Sequence, residues 1–337
     1  MKNKVKHLGL YVALSSVIAF AGAAKQATKS SVGLVQSSLS DINLIKQDGQ
    51  VDDSLLKLLK LVGIKHEGTI ESINTAMQAN FLRKPGEERW HLSDSDQDEK
   101  SRASALALLK KMSMVDEISH TKANADYFLV FGGILPRIEQ RFKDFVVQYS
   151  QGTLHCQNIV LLGGVRKLQA NELISIKKRL GTSLSHFLTR LHKEEEELTE
   201  ADVLRFIWDT QATPALKLHF KEGKNLFLIN STATTQGTNN RPTTGSTIET
   251  WLRDFRPRPG SCHANVEKPY GIRMEKALRL CLEKYSRQLA DDNTNFSITW
   301  NSPAADGNLS LAVYKDELAR TFYQEYALKR FLGVGLD

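Results

Sequence analysis

Apolar positions near the start of the folded chain recur at helical spacing. In DDSLLKLLKLVG, Asp52 to Gly63, leucines return every three or four residues and the run stops at a glycine, which predicts an amphipathic helix. The acidic stretch LSDSDQDEK (Leu92 to Lys100) leads into a second helical segment, Ala103 to Met114. From Asp126 the pattern changes to short apolar runs alternating with longer amphipathic ones. Strands are expected at Tyr127 to Phe131, Asn158 to Leu162, Asn225 to Asn230, Ser261 to Val266 and Phe296 to Trp300. Helices are expected at Pro136 to Tyr149, Asn171 to Leu191, Glu200 to Thr210, Ser246 to Asp254, Gly271 to Ala290 and Ser310 to Phe331. Such alternation predicts an α/β fold, Rossmann-like, with a mostly parallel sheet, helices on both faces and an N-terminal helical extension.

Two of the strand runs end in paired glycines, FLVFGG (Phe128 to Gly133) and NIVLLGG (Asn158 to Gly164). In open α/β sheets ligands sit beyond the carboxyl ends of the strands, and Gly132, Gly133, Gly163 and Gly164 would let a backbone approach one closely. Each turn leads into a polar segment with an arginine, Arg137 in GGILPRIEQR and Arg166 in GGVRKLQANE. A guanidinium beside a helix N-terminus suits a phosphate or carboxylate, or else pairs with an acid of the protein. The spacing matches neither the dinucleotide fingerprint nor the P-loop. Glu172, in the first turn of the next helix, is the candidate general acid or base, although the helix dipole alone favours a carboxylate there. Beyond the strand FLINS, the segment RPTTGSTIETW (Arg241 to Trp251) gathers Arg241, Thr243, Thr244, Ser246 and Thr247 at a helix start, with Asn230 at the strand end. Capping uses one or two of these hydroxyls, and the surplus suggests an anion or sugar site.

With 41 % apolar and 25 % charged residues in 337, the chain has the composition of a globular protein. Its first residues differ. Lys2, Lys4 and Lys6 precede the apolar run Leu8 to Phe20, followed by Ala21 to Ala24, the layout of a secretory signal peptide or a membrane anchor. The expected organisation is a leader at 1–24, a linker at 25–50, a helical subdomain at 51–125 and the α/β domain at 126–333. Export to the periplasm or beyond follows from the leader, with membrane association through the N-terminus as its variant. The net charge of +7 includes those three lysines, and no basic stripe with interleaved aromatics remains, so nucleic acid is not an expected partner. Cys156, Cys262 and Cys281 form no Cys-x-x-Cys pair and fit small core residues, with one disulfide left open by export. No histidine spacing suits a zinc site.

The segments FLVFGGILPR, NIVLLGGVRKLQANE, the INS strand end, RPTTGSTIETW and KPYGIRMEKAL (Lys268 to Leu278) together resemble the YdcF-like/SanA-like bacterial domain family, over about Asp126 to Phe331. RPTTGST stands here where family members commonly carry a Glu-Ser-x-x-Thr type segment. The resemblance implies a crevice faced by Gly132, Gly133, Arg137, Gly163, Gly164, Glu172, Asn230, Arg241, Thr243, Thr244 and Arg273. It also implies cell-envelope association and, from one branch of the family, S-adenosylmethionine or a nucleotide as a candidate cofactor. The expected function is binding of a small anionic or nucleotide-like ligand, with group transfer or hydrolysis as the natural chemistry. A non-catalytic envelope or secreted interaction protein is the rival.

Overall fold

The computed structural model describes residues 36–37, 42–84, 87, 92–94, 98–119, 122–232, 242–289 and 295–335. These fall within one compact unit, Gly33–Asp337. The leader, most of the linker, Trp90 and Arg241 lie outside the described residues.

A two-residue strand β1 (Gln36–Ser37) precedes three helices, α1 (Asp53–Leu61), α2 (Ile70–Phe81) and α3 (Glu99–Lys111). Each helix begins at a side chain that accepts an otherwise unpaired first-turn N–H: Asp52, Thr69 and Asp98. Then follow β2 (Ala123–Phe131), α4 (Leu135–Ser150), β3 (Leu154–Gly164), α5 (Ala170–Leu180), α6 (Leu184–Leu191), α7 (Glu200–Gln211) and α8 (Pro214–His219). The chain closes with β4 (Leu226–Ser231), α9 (Thr244–Phe255), β5 (Ser261–Asn265), α10 (Tyr270–Leu289), β6 (Ser297–Asn301) and α11 (Leu311–Leu332). The helix expected over Asn171 to Leu191 is split into α5 and α6, because Gly181 takes a φ of 52° that no right-handed helix can carry through. The short β1 and the helix α2 left no clear signal in the sequence pattern.

The strands form one parallel sheet in the order β1-β6-β5-β2-β3-β4. This is a Rossmann-like α/β arrangement, with successive β2 residues serving opposite faces. Tyr127, Leu129 and Phe131 join Trp251 of α9 and Leu278 and Leu282 of α10 in one core layer. Phe128 and Val130 join Ile138, Phe142 and Phe145 of α4 and Val203, Phe206 and Ile207 of α7 in the other. Aromatic contacts fix both layers: Tyr127 meets Trp251 edge-on at 5.4 Å, and Phe128 stacks on Phe145 at 4.5 Å between centroids.

The N-terminal helices build a third cluster. Leu55, Leu58 and Leu59 of α1, Ile73 and Met77 of α2 and Leu109 of α3 cover Leu318 and Phe322 of α11. The buried Glu325 of α11 secures the segment before α1, accepting the backbone N–H groups of Leu44 at 3.0 Å and Ile45 at 3.1 Å.

Candidate functional site

The strand order defines where a crevice forms. From β2 the chain adds β3 and β4 on one side, then returns through α9 to lay β5 and β6 on the other. The carboxyl ends of β2 and β5 therefore flank the reversal point, the usual ligand position in doubly wound sheets. Helices α4 and α10 start there, directing the positive ends of their dipoles to the same edge of the sheet.

Four side chains join three helix starts beside this point. Arg137, in the first turn of α4, donates from Nη2 to the Tyr270 hydroxyl at 2.6 Å, and its guanidinium lies 4.0 Å from the centroid of that ring. Tyr270 opens α10, and Arg273 follows three residues later on the same helical face. Arg273 donates from Nη1 to the Thr244 hydroxyl at 3.2 Å, reaching the first turn of α9, and from Nε to Glu317 at 2.7 Å. The first turn of α10 thus takes Arg137 at Tyr270 and Thr244 at Arg273. One turn behind Arg137, the buried Arg141 clamps the two strand ends, forking onto Glu267 at 2.9 and 3.0 Å and donating to the carbonyls of Phe131 and Gly132 at 2.9 and 2.6 Å. Burial alone would raise the Glu267 carboxyl, but Arg141 and Arg137 outweigh it and hold it below its ordinary value.

Arg166 and Glu172 form a different kind of group. All the donor nitrogens of Arg166 are engaged: Nε with Glu200 at 2.9 Å, Nη1 and Nη2 with Glu172 at 2.8 and 3.0 Å, and Nη2 also with the Gly133 carbonyl at 2.8 Å. Glu172 closes a capping box by accepting from Gln169 N at 3.0 Å, and it also accepts the Leu135 N–H at the start of α4. The anion that the N-terminus of α4 attracts is therefore supplied by the protein itself. Burial pushes the Glu172 carboxyl up, but Arg166 and the two backbone N–H groups more than reverse it, so the group is held ionised below its ordinary value. A carboxylate with both oxygens occupied is poorly placed to take up a substrate proton.

Gly132, Gly163 and Gly164 are explained by packing. A Cβ on Gly163 would stand 2.7 Å from the Ala201 Cα of α7, and one on Gly132 would collide with the Glu200 carboxylate and the Leu162 carbonyl. Gly164 lies against Pro242, and Gly133 offers its carbonyl to Arg166. Thr243 caps α9, its hydroxyl accepting from Ser246 N at 3.1 Å. Asn230 is exposed at the end of β4, two strands from the reversal point. Arg241 lies outside the described residues.

Sequence reasoning missed Arg141, Glu267, Tyr270 and Lys268. The first was legible as a second arginine one helical turn after Arg137, and the others sit in or beside KPYGIRMEKAL. Lys268 is fully buried, and its amine meets no hydrogen-bond partner; burial pushes it down to about 7 against the pull of Glu275. The three cysteines are free and buried, and His263 is buried with Nδ1 2.6 Å from the Thr299 hydroxyl. Among the described residues no group of His, Cys, Asp and Glu is arranged to hold a metal ion, and no helix is long and apolar enough to cross a membrane. No protein-family model, curated protein or solved structure matches the chain.

Proposed function

We propose that this is a ligand-binding α/β protein whose crevice, between the carboxyl ends of β2 and β5, takes a small anionic or nucleotide-like molecule. The observation that carries the reading is a pair of contacts on the first turn of α10, Arg137 to Tyr270 and Arg273 to Thr244, which joins the starts of α4, α10 and α9 beside the reversal point. The start of α4 is met by Glu172 and Arg273 is paired with Glu317; the partly exposed Arg137 guanidinium and the positive starts of α9 and α10 favour an anion over a neutral or cationic ligand. The resemblance to YdcF-like domains supports the same crevice and brings S-adenosylmethionine and nucleotides forward as candidate occupants, with the cell envelope as the setting.

Binding without catalysis is favoured over group transfer or hydrolysis by a single observation. Glu172, the carboxylate best placed by sequence to act as an acid or base, is consumed by Arg166 and two backbone N–H groups. Thermal melting with ADP, S-adenosylmethionine, a nucleotide-sugar and inorganic pyrophosphate tests the reading. A ligand at about 100 times its Kd adds roughly 2.7 kcal/mol to stability, which registers as a higher Tm. A rise that Arg137→Gln abolishes supports the crevice, whereas no rise with any of the four removes it.

A further inference from the structure

The far end of the sheet carries a second feature, independent of the crevice. Among the described residues β4 is the last strand in the sheet order, paired with β3 alone. Its ladder is bracketed by Ile159 N donating to Asn225 O at 2.9 Å and Val165 N donating to Ser231 O at 2.9 Å. In a parallel ladder the backbone groups of successive residues point to opposite sides, so those of Phe227, Ile229 and Ser231 serve β3 while those of Leu226, Leu228 and Asn230 are directed to the other edge. Leu226 is closed off by its own turn, accepting from Gly223 N and donating to Lys221 O. Leu228 and Asn230 direct their N–H and C=O groups away from β3, and no other strand of the described residues meets them.

Beside this edge lies a cavity of about 120 Å³, walled by Leu161, Trp208, Phe220, Leu226 and Leu228. An apolar cavity of roughly 150 Å³ accommodates benzene, so this one suits a single apolar side chain. Its charged rim is unbalanced. Glu222 is forked by Arg205, and Asp209 is paired with Arg190. Among the described residues the exposed Lys217, Lys221 and Lys224 have no acidic partner; the amines of the first two donate to the backbone carbonyls of Asp209 and Lys217. Leu218, 76 % exposed, stands among them.

We propose that the open edge of β4 and this cavity form a docking surface for an extended acidic peptide segment of a partner protein. The segment joins the sheet as an added strand on the Leu228 and Asn230 groups and seats one apolar side chain in the cavity, while Lys217, Lys221 and Lys224 face its carboxylates. Edge strands left open are templates for added chains, with main-chain bonds giving affinity and the pocket giving selectivity.

The test is fluorescence anisotropy with the full chain and a labelled nine-residue peptide that alternates glutamate with β-branched residues around a central phenylalanine. Saturable binding is expected, weakened about tenfold or more when the phenylalanine becomes alanine, or when peptide amides facing β4 are N-methylated. The same loss is expected in the Lys221→Glu/Lys224→Glu variant, whose exposed positions leave the melting temperature unchanged. N-methylation leaves the protein untouched, so its effect cannot be a folding defect. Absence of binding, or equal binding by the N-methylated peptide or by one with lysines in place of glutamates, overturns the proposal. Light scattering that shows a dimer dissociated by Asn230→Pro also overturns it, by identifying the occupant as a second copy of the chain.

Discussion

Two arginine groups at the carboxyl end of the sheet follow the same sequence device, a strand, a glycine pair and an arginine, yet they do opposite things. Arg166 is closed: its nitrogens are divided among Glu172, Glu200 and the Gly133 carbonyl, and it ties β3 to the starts of α4, α5 and α7. Arg137 remains partly open, its side chain 24 % exposed, and meets Tyr270 on the first turn of α10, where Arg273 takes Thr244. The difference lies in where the nearest carboxylate sits. Glu172 is six residues from Arg166 and enters by a capping box, so the pair closes locally. Arg137 meets Glu267 at 3.6 Å from beyond the end of the neighbouring strand β5, and that carboxylate is already forked by Arg141. One group wires the fold, and the other stands partly exposed beside the reversal point.

The largest effect should come from breaking the closed group. Arg166→Met leaves Glu172 buried without its cation, and breaking such a pair from one side costs about 3–5 kcal/mol. Urea unfolding at pH 7 measures this. The sign of the pH dependence follows from the depressed carboxyl of Glu172, whose contribution is present above its unfolded pKa and lost as pH falls through the folded one. The gap between wild type and Arg166→Met should therefore narrow below about pH 4. A gap that stays constant to pH 3 would show that Glu172 is not the group involved.

Lys268 should give the next largest effect, in the opposite direction. Its folded pKa of about 7 lies below the unfolded lysine value, so between those values the unfolded chain binds a proton that the folded one does not. Stability should rise as pH increases from about 7 to 10 through this group. Lys268→Met keeps the stem and deletes the amine; it should stabilise the protein at pH 7 by roughly 2–4 kcal/mol and remove that slope. A loss of stability instead would mean that the amine is held by a partner in solution.

Gly163→Ala is expected to cost about 1–3 kcal/mol, since the added methyl meets the backbone of α7 and the helix must move outward. Thermal unfolding reports it, and an unchanged Tm would mean that α7 yields freely.

Much of the fold was legible because strand and helix periods differ sharply after Asp126. All five expected strands form, and the glycine pairs do lie at the carboxyl ends of β2 and β3. The division of labour between the glycine-arginine turns was not legible. Nothing local in GGVRKLQANE tells that Glu172 will fold back onto Arg166 and not outward, and Glu267 reaches Arg141 from 126 residues away. The glycines looked like room for a ligand, but Gly163 and Gly164 make room for Ala201 and Pro242, contacts set by helix placement. Arg141 was within reach of pattern reasoning, one turn from Arg137. Its role was not, since both its partners come from the ends of neighbouring strands.

The smallest change in stability should carry the sharpest information. Arg137→Gln keeps a donor near the Tyr270 hydroxyl, and Glu267 retains the fork from Arg141, so the loss should stay below about 1 kcal/mol for a partly exposed ion pair. The variant nevertheless removes the guanidinium that a ligand anion would meet. If the open group is the binding site, Arg137→Gln melts like wild type without ligand but no longer responds to the nucleotide or S-adenosylmethionine that stabilises wild type. Arg166→Met should show the reverse, a lower melting point with the response retained wherever the protein stays folded. A ligand response lost in Arg166→Met and kept in Arg137→Gln would invert the comparison and move the site to β3.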